Sequence, residues 1–187
     1  MKYKLLENIL PFDSCIIASR SMVNDKNYVY GDCQVAVSRT FFSVPYLEVL
    51  LPIIKPRLEE VWGKNLIPTY VYSRILYPGS DLKPHTDRPS CEYSVTVTLG
   101  HNYSEDFSYP IYMDGTPVDI PIGWGATYKG CEIEHWREPL IGTPDKFWIQ
   151  AFFHYVDADG AYAGHAWDQI ESEKIKNLLD NNSPSEL

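Results

Sequence analysis

In the run Lys83-Pro84-His85-Thr86-Asp87-Arg88-Pro89, an imidazole and a carboxylate stand two residues apart. On an extended chain, residues i and i+2 project to the same side, so both can reach one metal ion from one short segment. His135 lies 48 residues beyond Asp87, in a different strand-like run. Two histidines and one carboxylate on one face of an octahedral ion leave three adjacent positions open. That is the facial arrangement of non-haem iron(II), in which an organic chelate takes two positions and dioxygen the third. Zinc accepts the same donors with water in the remaining position, which would suit a hydrolase. A lone His-x-Asp is a weak signal and is ordinarily an exposed loop; here the context strengthens it, since His85 follows a strand-like run and the Tyr77-Pro78-Gly79 turn, and His135 lies in another strand-like run.

A chelate that carries a second carboxylate needs a cation for its far end, and charge-assisted hydrogen bonds make Lys or Arg the natural choice. Two residues compete. Lys146 opens the run 146–156 and, by period-two logic, shares a mixed face with Trp148, Gln150, Phe152 and His154; the opposite face is nearly all apolar. Arg137 stands two residues from His135 and so shares its face. The plain roles are a solvated lysine and an arginine paired with Glu134 or Glu138. His101 reads as a loop residue, His154 as a satisfied core histidine and His165 as a surface or capping residue. Trp124 and Trp136 divide between substrate wall and core, and Cys91 and Cys131 read as small buried residues.

The elements that must position these groups change character at Pro68. Before it, a short helix over 12–22 follows Pro11. Ser43 and Pro45 open a second helical stretch, in which Leu47, Leu50, Leu51, Ile54, Leu58, Val61 and Trp62 recur at helical spacing. Pro52 and Pro56 should kink or split that stretch, and Gly63 should end it. After Pro68 come strand-like runs over 69–77, 93–99, 109–113, 116–120, 126–129, 132–137 and 146–156. The clearest is 93–99, with Tyr93, Val95, Val97 and Leu99 on one face and Ser94, Thr96 and Thr98 on the other. Asp114-Gly115 between two runs is a hairpin signal. Trp167, Ile170, Ile175, Leu178 and Leu179 suggest a closing amphipathic helix. Helices first, then about seven antiparallel strands, predict an α+β chain around a β-sandwich or jelly roll.

The chain of 187 residues fits one domain, 1–187, with a sizeable core. Its net charge of −9 repels phosphate backbones, so nucleic acid is not an expected partner. Residues 1–7 lack a long apolar stretch, which predicts neither a signal peptide nor a membrane span. Cys15, Cys33, Cys91 and Cys131 are far apart with no CxxC, which points to a reduced, cytoplasmic setting.

Tyr77-Pro-Gly, His85-Thr-Asp87-Arg-Pro, Gly130-Cys-Glu-Ile-Glu-His135-Trp136-Arg137-Glu-Pro139 and the run from Lys146 to Asp157 together resemble the prolyl 4-hydroxylase branch of the 2-oxoglutarate oxygenases, in microbial and viral form. The resemblance implies a double-stranded β-helix core over about 68–157 with supporting N-terminal helices. It implies His85, Asp87 and His135 as iron(II) ligands, 2-oxoglutarate as cosubstrate, O2 as oxidant and ascorbate as an auxiliary reductant. It places Tyr77 beside the cosubstrate and, by its offset of 11 from His135, Lys146 on the distal carboxylate, with Arg137 as the rival; Leu82 stands where the family has a second tyrosine. The reaction it implies is hydroxylation of a prolyl residue in a peptide or protein, with release of succinate and CO2. A small-molecule substrate, a zinc hydrolase and a non-catalytic jelly-roll binding module stay open at this point. The segments 25–33 and 101–108 are candidate loops to close over a substrate.

Overall fold

The computed structural model describes residues 2–42 and 44–168. Strand β1 (Tyr3–Leu6) leads into helix α1 (Phe12–Asn24), whose Cys15, Ala18 and Met22, three and four residues apart, form its buried face. Two short strands follow, β2 (Val29–Tyr30) and β3 (Ser38–Phe41), then helices α2 (Pro45–Glu48) and α3 (Leu51–Trp62). The helical stretch is divided as its prolines predict, but only once. The break falls at Val49 and Leu50, so that Pro52 enters the first turn of α3, where its missing N–H costs nothing. Pro56 is carried inside α3 without ending it. Gly63 does end it, at φ 62°, with its N–H on the Glu59 carbonyl at 2.8 Å.

The strands after α3 are β4 (Leu66–Leu76), β5 (Leu82–His85), β6 (Tyr93–His101), β7 (Ile111–Met113), β8 (Thr116–Val118), β9 (Gly125–Tyr128), β10 (His135–Arg137) and β11 (Trp148–Asp157). They form two antiparallel sheets, one in the order β1-β9-β6-β11-β4-β3-β2 and a smaller one in the order β5-β10-β7-β8. Asp114 and Gly115 turn β7 into β8 with φ of 46° and 82°, as a tight hairpin requires. The result is the expected mixture of helices and antiparallel strands, with β-structure dominant. The closing helix expected from Trp167 onward falls almost wholly outside the described residues. Among the described residues no helix is long and apolar enough to cross a membrane.

Strand β11 organises the core. Ile149, Ala151, Phe153 and Tyr155 on one face pack with Val95, Val97 and Leu99 of β6 and with the buried faces of α1, α2 and α3. The apolar face of this run therefore meets the helical layer. The other face is buried as well. Ser94, Thr96, Thr98 and Gln150 are fully enclosed, because the smaller sheet lies over them. Their hydroxyls and amide bond one another: Gln150 Nε2 donates to Thr96 Oγ1 at 2.6 Å. A polar layer inside the molecule, between two sheets, is where the chemistry-bearing residues collect.

Candidate metal centre

His85 and His135 arrive on adjacent strands of the smaller sheet and are directly paired in the β5–β10 register. Their rings lie 4.3 Å apart between centroids. Asp87 follows just past the end of β5, its backbone N–H held by the Gly130 carbonyl at 2.8 Å. Gly130 is needed there for space: a Cβ on it would stand 2.2 Å from the Cys91 carbonyl oxygen and 2.5 Å from Asp87 Oδ2. The three side chains converge, with Asp87 Oδ1 at 3.8 Å from His85 Nε2 and 3.6 Å from His135 Nε2.

The hydrogen bonds around the rings fix which nitrogen is free. His85 Nδ1 lies 2.8 Å from the Lys83 carbonyl and His135 Nδ1 3.1 Å from the Ile133 carbonyl. A carbonyl only accepts, so each Nδ1 carries its proton and each Nε2 turns a lone pair toward Asp87. Burial lowers the pKa of both histidines; for His85 the neighbouring His135 adds to the effect. Burial also raises the Asp87 carboxyl to about 6, with His85 and Ser94 opposing the rise. Two neutral imidazoles and a buried carboxylate converging on one point are a donor set that a divalent ion would complete.

The set lies in a cavity of about 400 Å³ between the two sheets. Tyr70, Tyr72 and Arg74 of β4, Phe152 and His154 of β11 and Tyr128 of β9 form its floor. One wall is the loop around Asp32, between β2 and β3. Asp32 holds that loop by accepting from the backbone N–H of Gln34 and Val35, from Thr40 Oγ1 and Tyr72 Oη, and from Arg74 through Nε at 2.9 Å and Nη2 at 3.0 Å. Burial alone would raise the Asp32 carboxyl, but the Tyr72 hydroxyl and the Arg74 guanidinium outweigh it and hold the group well below its ordinary value of 3.8.

A carboxyl depressed by folding stabilises the protein above its unfolded pKa, and that stability drains away as pH falls through its folded value. Asp32→Asn should therefore lower the urea midpoint at pH 7, and the gap from the parent should narrow below about pH 4. A gap of constant size at every pH would show that the carboxylate's charge is not what the loop depends on.

No protein-family model matches the chain, and no curated protein matches it. Solved structures do. The viral collagen prolyl hydroxylase vCPH of Paramecium bursaria Chlorella virus-1, crystallised with 2-oxoglutarate, superposes with a TM-score of 0.63 at 12% identity, over 83% of this chain and 96% of that one. The α-ketoglutarate-dependent epimerase SnoN of nogalamycin biosynthesis gives 0.65 at 13%, over 84% and 78%. HygX of Streptomyces hygroscopicus, with nickel and 2-oxoglutarate bound, gives 0.62 at 11%, over 84% of both chains. The chain has the fold of the 2-oxoglutarate–iron(II) oxygenases.

Within this oxygenase fold, the residues singled out for the cosubstrate end in three different places. Tyr77 lies half-buried in a surface groove with Tyr30 and Pro78, 5.9 Å from the Arg39 guanidinium, and does not line the central cavity. Lys146 was expected at the start of a strand; β11 begins two residues later, because Asn102 captures the turn before it. Asn102 Oδ1 accepts from the Phe147 N–H at 2.8 Å, and Lys146 Nζ donates to the Asn102 carbonyl at 3.0 Å. Lys146 does not line the cavity either. Arg137 is buried, 3% exposed, and faces inward beside His135. It donates to the Tyr109 carbonyl and, at 3.2 Å, to Gln150 Oε1, with its guanidinium 4.6 Å from the Tyr109 ring centre. Among the described residues it makes no ion pair with a carboxylate. It lines a small annex together with Val35, Leu76, Ser80, Asp81 and Tyr109, and three further walls of that annex, Arg74, Leu82 and Phe152, also belong to the central cavity.

Of the other residues weighed in the sequence, Trp136 stacks on Tyr112, and His101 ends β6 with its ring stacked on Trp148 rather than standing in a loop. The segment 25–33 contributes Asp32 and Cys33 to the cavity; 101–108 lines a separate groove beside Trp148. Tyr70, Tyr72 and Arg74 were not singled out, yet their period-two spacing in a strand-like run was a usable signal. Asp32 had none, since its partners lie up to 42 residues away.

Proposed function

We propose that this chain is an iron(II)- and 2-oxoglutarate-dependent oxygenase that hydroxylates a substrate C–H bond, and that its two sheets are the halves of a double-stranded β-helix. The observation that carries the reading is the convergence of His85 Nε2, His135 Nε2 and Asp87 Oδ1 in a buried cavity. Iron with 2-oxoglutarate and O2 supplies the oxidising chemistry, coupled to decarboxylation of the cosubstrate to succinate.

The chain's own residues do the rest. His85, Asp87 and His135 hold the ion, their ring orientation set by the Lys83 and Ile133 carbonyls. Arg137 binds the distal carboxylate of the cosubstrate. A buried guanidinium without an anion is costly, and a dicarboxylate reaching from the ion into the annex removes that cost. Tyr70, Tyr72 and Phe152 exclude water from the cavity, which protects the reactive centre from side reactions. The motif resemblance around His85 and His135 favours a peptidyl proline as substrate, entering past the Asp32 wall.

The test is anaerobic. Metal-free protein given iron(II) and titrated with 2-oxoglutarate should develop a weak, saturable visible charge-transfer band, and admitting oxygen should then yield succinate. Proline-containing peptides that raise the succinate yield would support the substrate class. Absence of the band, with zinc retained tightly instead, would overturn the oxygenase reading.

A further inference from the structure

The two oxygens of Asp87 keep different company. Oδ1 faces the histidine pair. Oδ2 lies 3.5 Å from the Ser94 hydroxyl, which in turn sits 2.8 Å from His154 Nδ1 and 3.1 Å from the Cys91 carbonyl. On that side the Asp87 carboxylate, the Cys91 thiol and a ring nitrogen of His154 all lie within 4.8 Å of one another. The convergence is built into the fold. A single 3₁₀ turn, Pro89–Cys91, carries Cys91 back toward Asp87, and the β6–β11 register sets His154 directly opposite Ser94. Cys91 and His154 are 3% and 5% exposed, yet both border the same cavity as His85 and His135, so an ion that enters it can reach them.

We propose that Asp87, Cys91 and His154 form a second metal site, for a thiophilic divalent ion of the zinc class. The donor types separate it from the first site. Two imidazoles and a carboxylate suit iron(II) in octahedral geometry, whereas one sulfur, one imidazole and one carboxylate oxygen suit tetrahedral zinc or cobalt(II). The Tyr70 hydroxyl, 3.1 Å from Cys91 Sγ, stands beside the site as a further oxygen. Asp87 belongs to both sets, so its loss removes both sites, while loss of the histidine pair or of Cys91 removes one each. The assignment does not depend on the oxygenase reading.

Cobalt(II) titrated into metal-free protein is the probe. The wild type should show a near-ultraviolet thiolate-to-cobalt charge-transfer band. The band should persist in the His85→Ala/His135→Ala variant and vanish in Cys91→Ser. No thiolate band in the wild type, a band that survives Cys91→Ser, or one lost with the histidine pair would each overturn the proposal. X-ray absorption of the zinc-loaded wild type needs no variant to fold: a sulfur neighbour at about 2.3 Å is expected, and a shell of nitrogen and oxygen alone would refute the site.

Discussion

Asp87→Ala should abolish the iron(II)–2-oxoglutarate band at every concentration of cosubstrate, while the protein remains folded. The carboxylate is the one anion at the centre, and its Oδ1 is the point toward which both Nε2 lone pairs turn. Removing even an outer partner of a metal ligand costs about 10–100-fold in affinity; removing the ligand itself, in a three-ligand site, should cost at least that and in practice all measurable binding. Stability should not suffer in proportion. A carboxyl raised to about 6 by burial is a strain on the ion-free fold, so alanine relieves a desolvation cost even as it loses hydrogen bonds. Calorimetric titration of iron(II), paired with a urea midpoint, separates the two effects. An Asp87→Ala protein that still binds iron within tenfold of the parent would remove Asp87 from the ligand set.

Arg137→Ala should weaken 2-oxoglutarate by roughly 10–100-fold with iron affinity unchanged, as expected when a hydrogen bond to a charged group worth about 1.5–3 kcal/mol is lost. Lys146→Ala should leave the titration where it was, since the Lys146 ammonium is spent on the Asn102 carbonyl and the Tyr103 ring face. Arg137→Lys should recover part of the loss: it keeps the charge and forfeits the forked geometry. The same anaerobic band reads all three. The opposite ranking, with Lys146→Ala weaker and Arg137→Ala unaffected, would return the distal carboxylate to the turn before β11.

The three converging side chains were readable from spacing because each lies in or beside an extended segment, where period two decides direction. The same rule misjudged Lys146, for it presumes a strand, and the strand starts at Trp148 because the distant Asn102 side chain claims the turn before it. Strands β1, β2, β3 and β5 left no trace in the pattern. They are two to four residues long, and their pairing partners, not their own alternation, make them strands. The alternation over 93–99 separates Ser94, Thr96 and Thr98 from the apolar face and does not say where they lie. They are interior; polar alternation reports a difference between faces without saying what covers the second one.

The wall around Asp32 divides its labour. One carboxylate, through its bonds to Gln34, Val35, Thr40, Tyr72 and Arg74, fixes where the backbone runs. Cys33 and Phe42, which also border the cavity, are exposed and are not among the hydrogen-bond partners of Asp32. Shape and taste are thereby uncoupled: a lineage can exchange the residues that greet an incoming molecule, and so wander from one class of substrate to another, without loosening the frame that presents them.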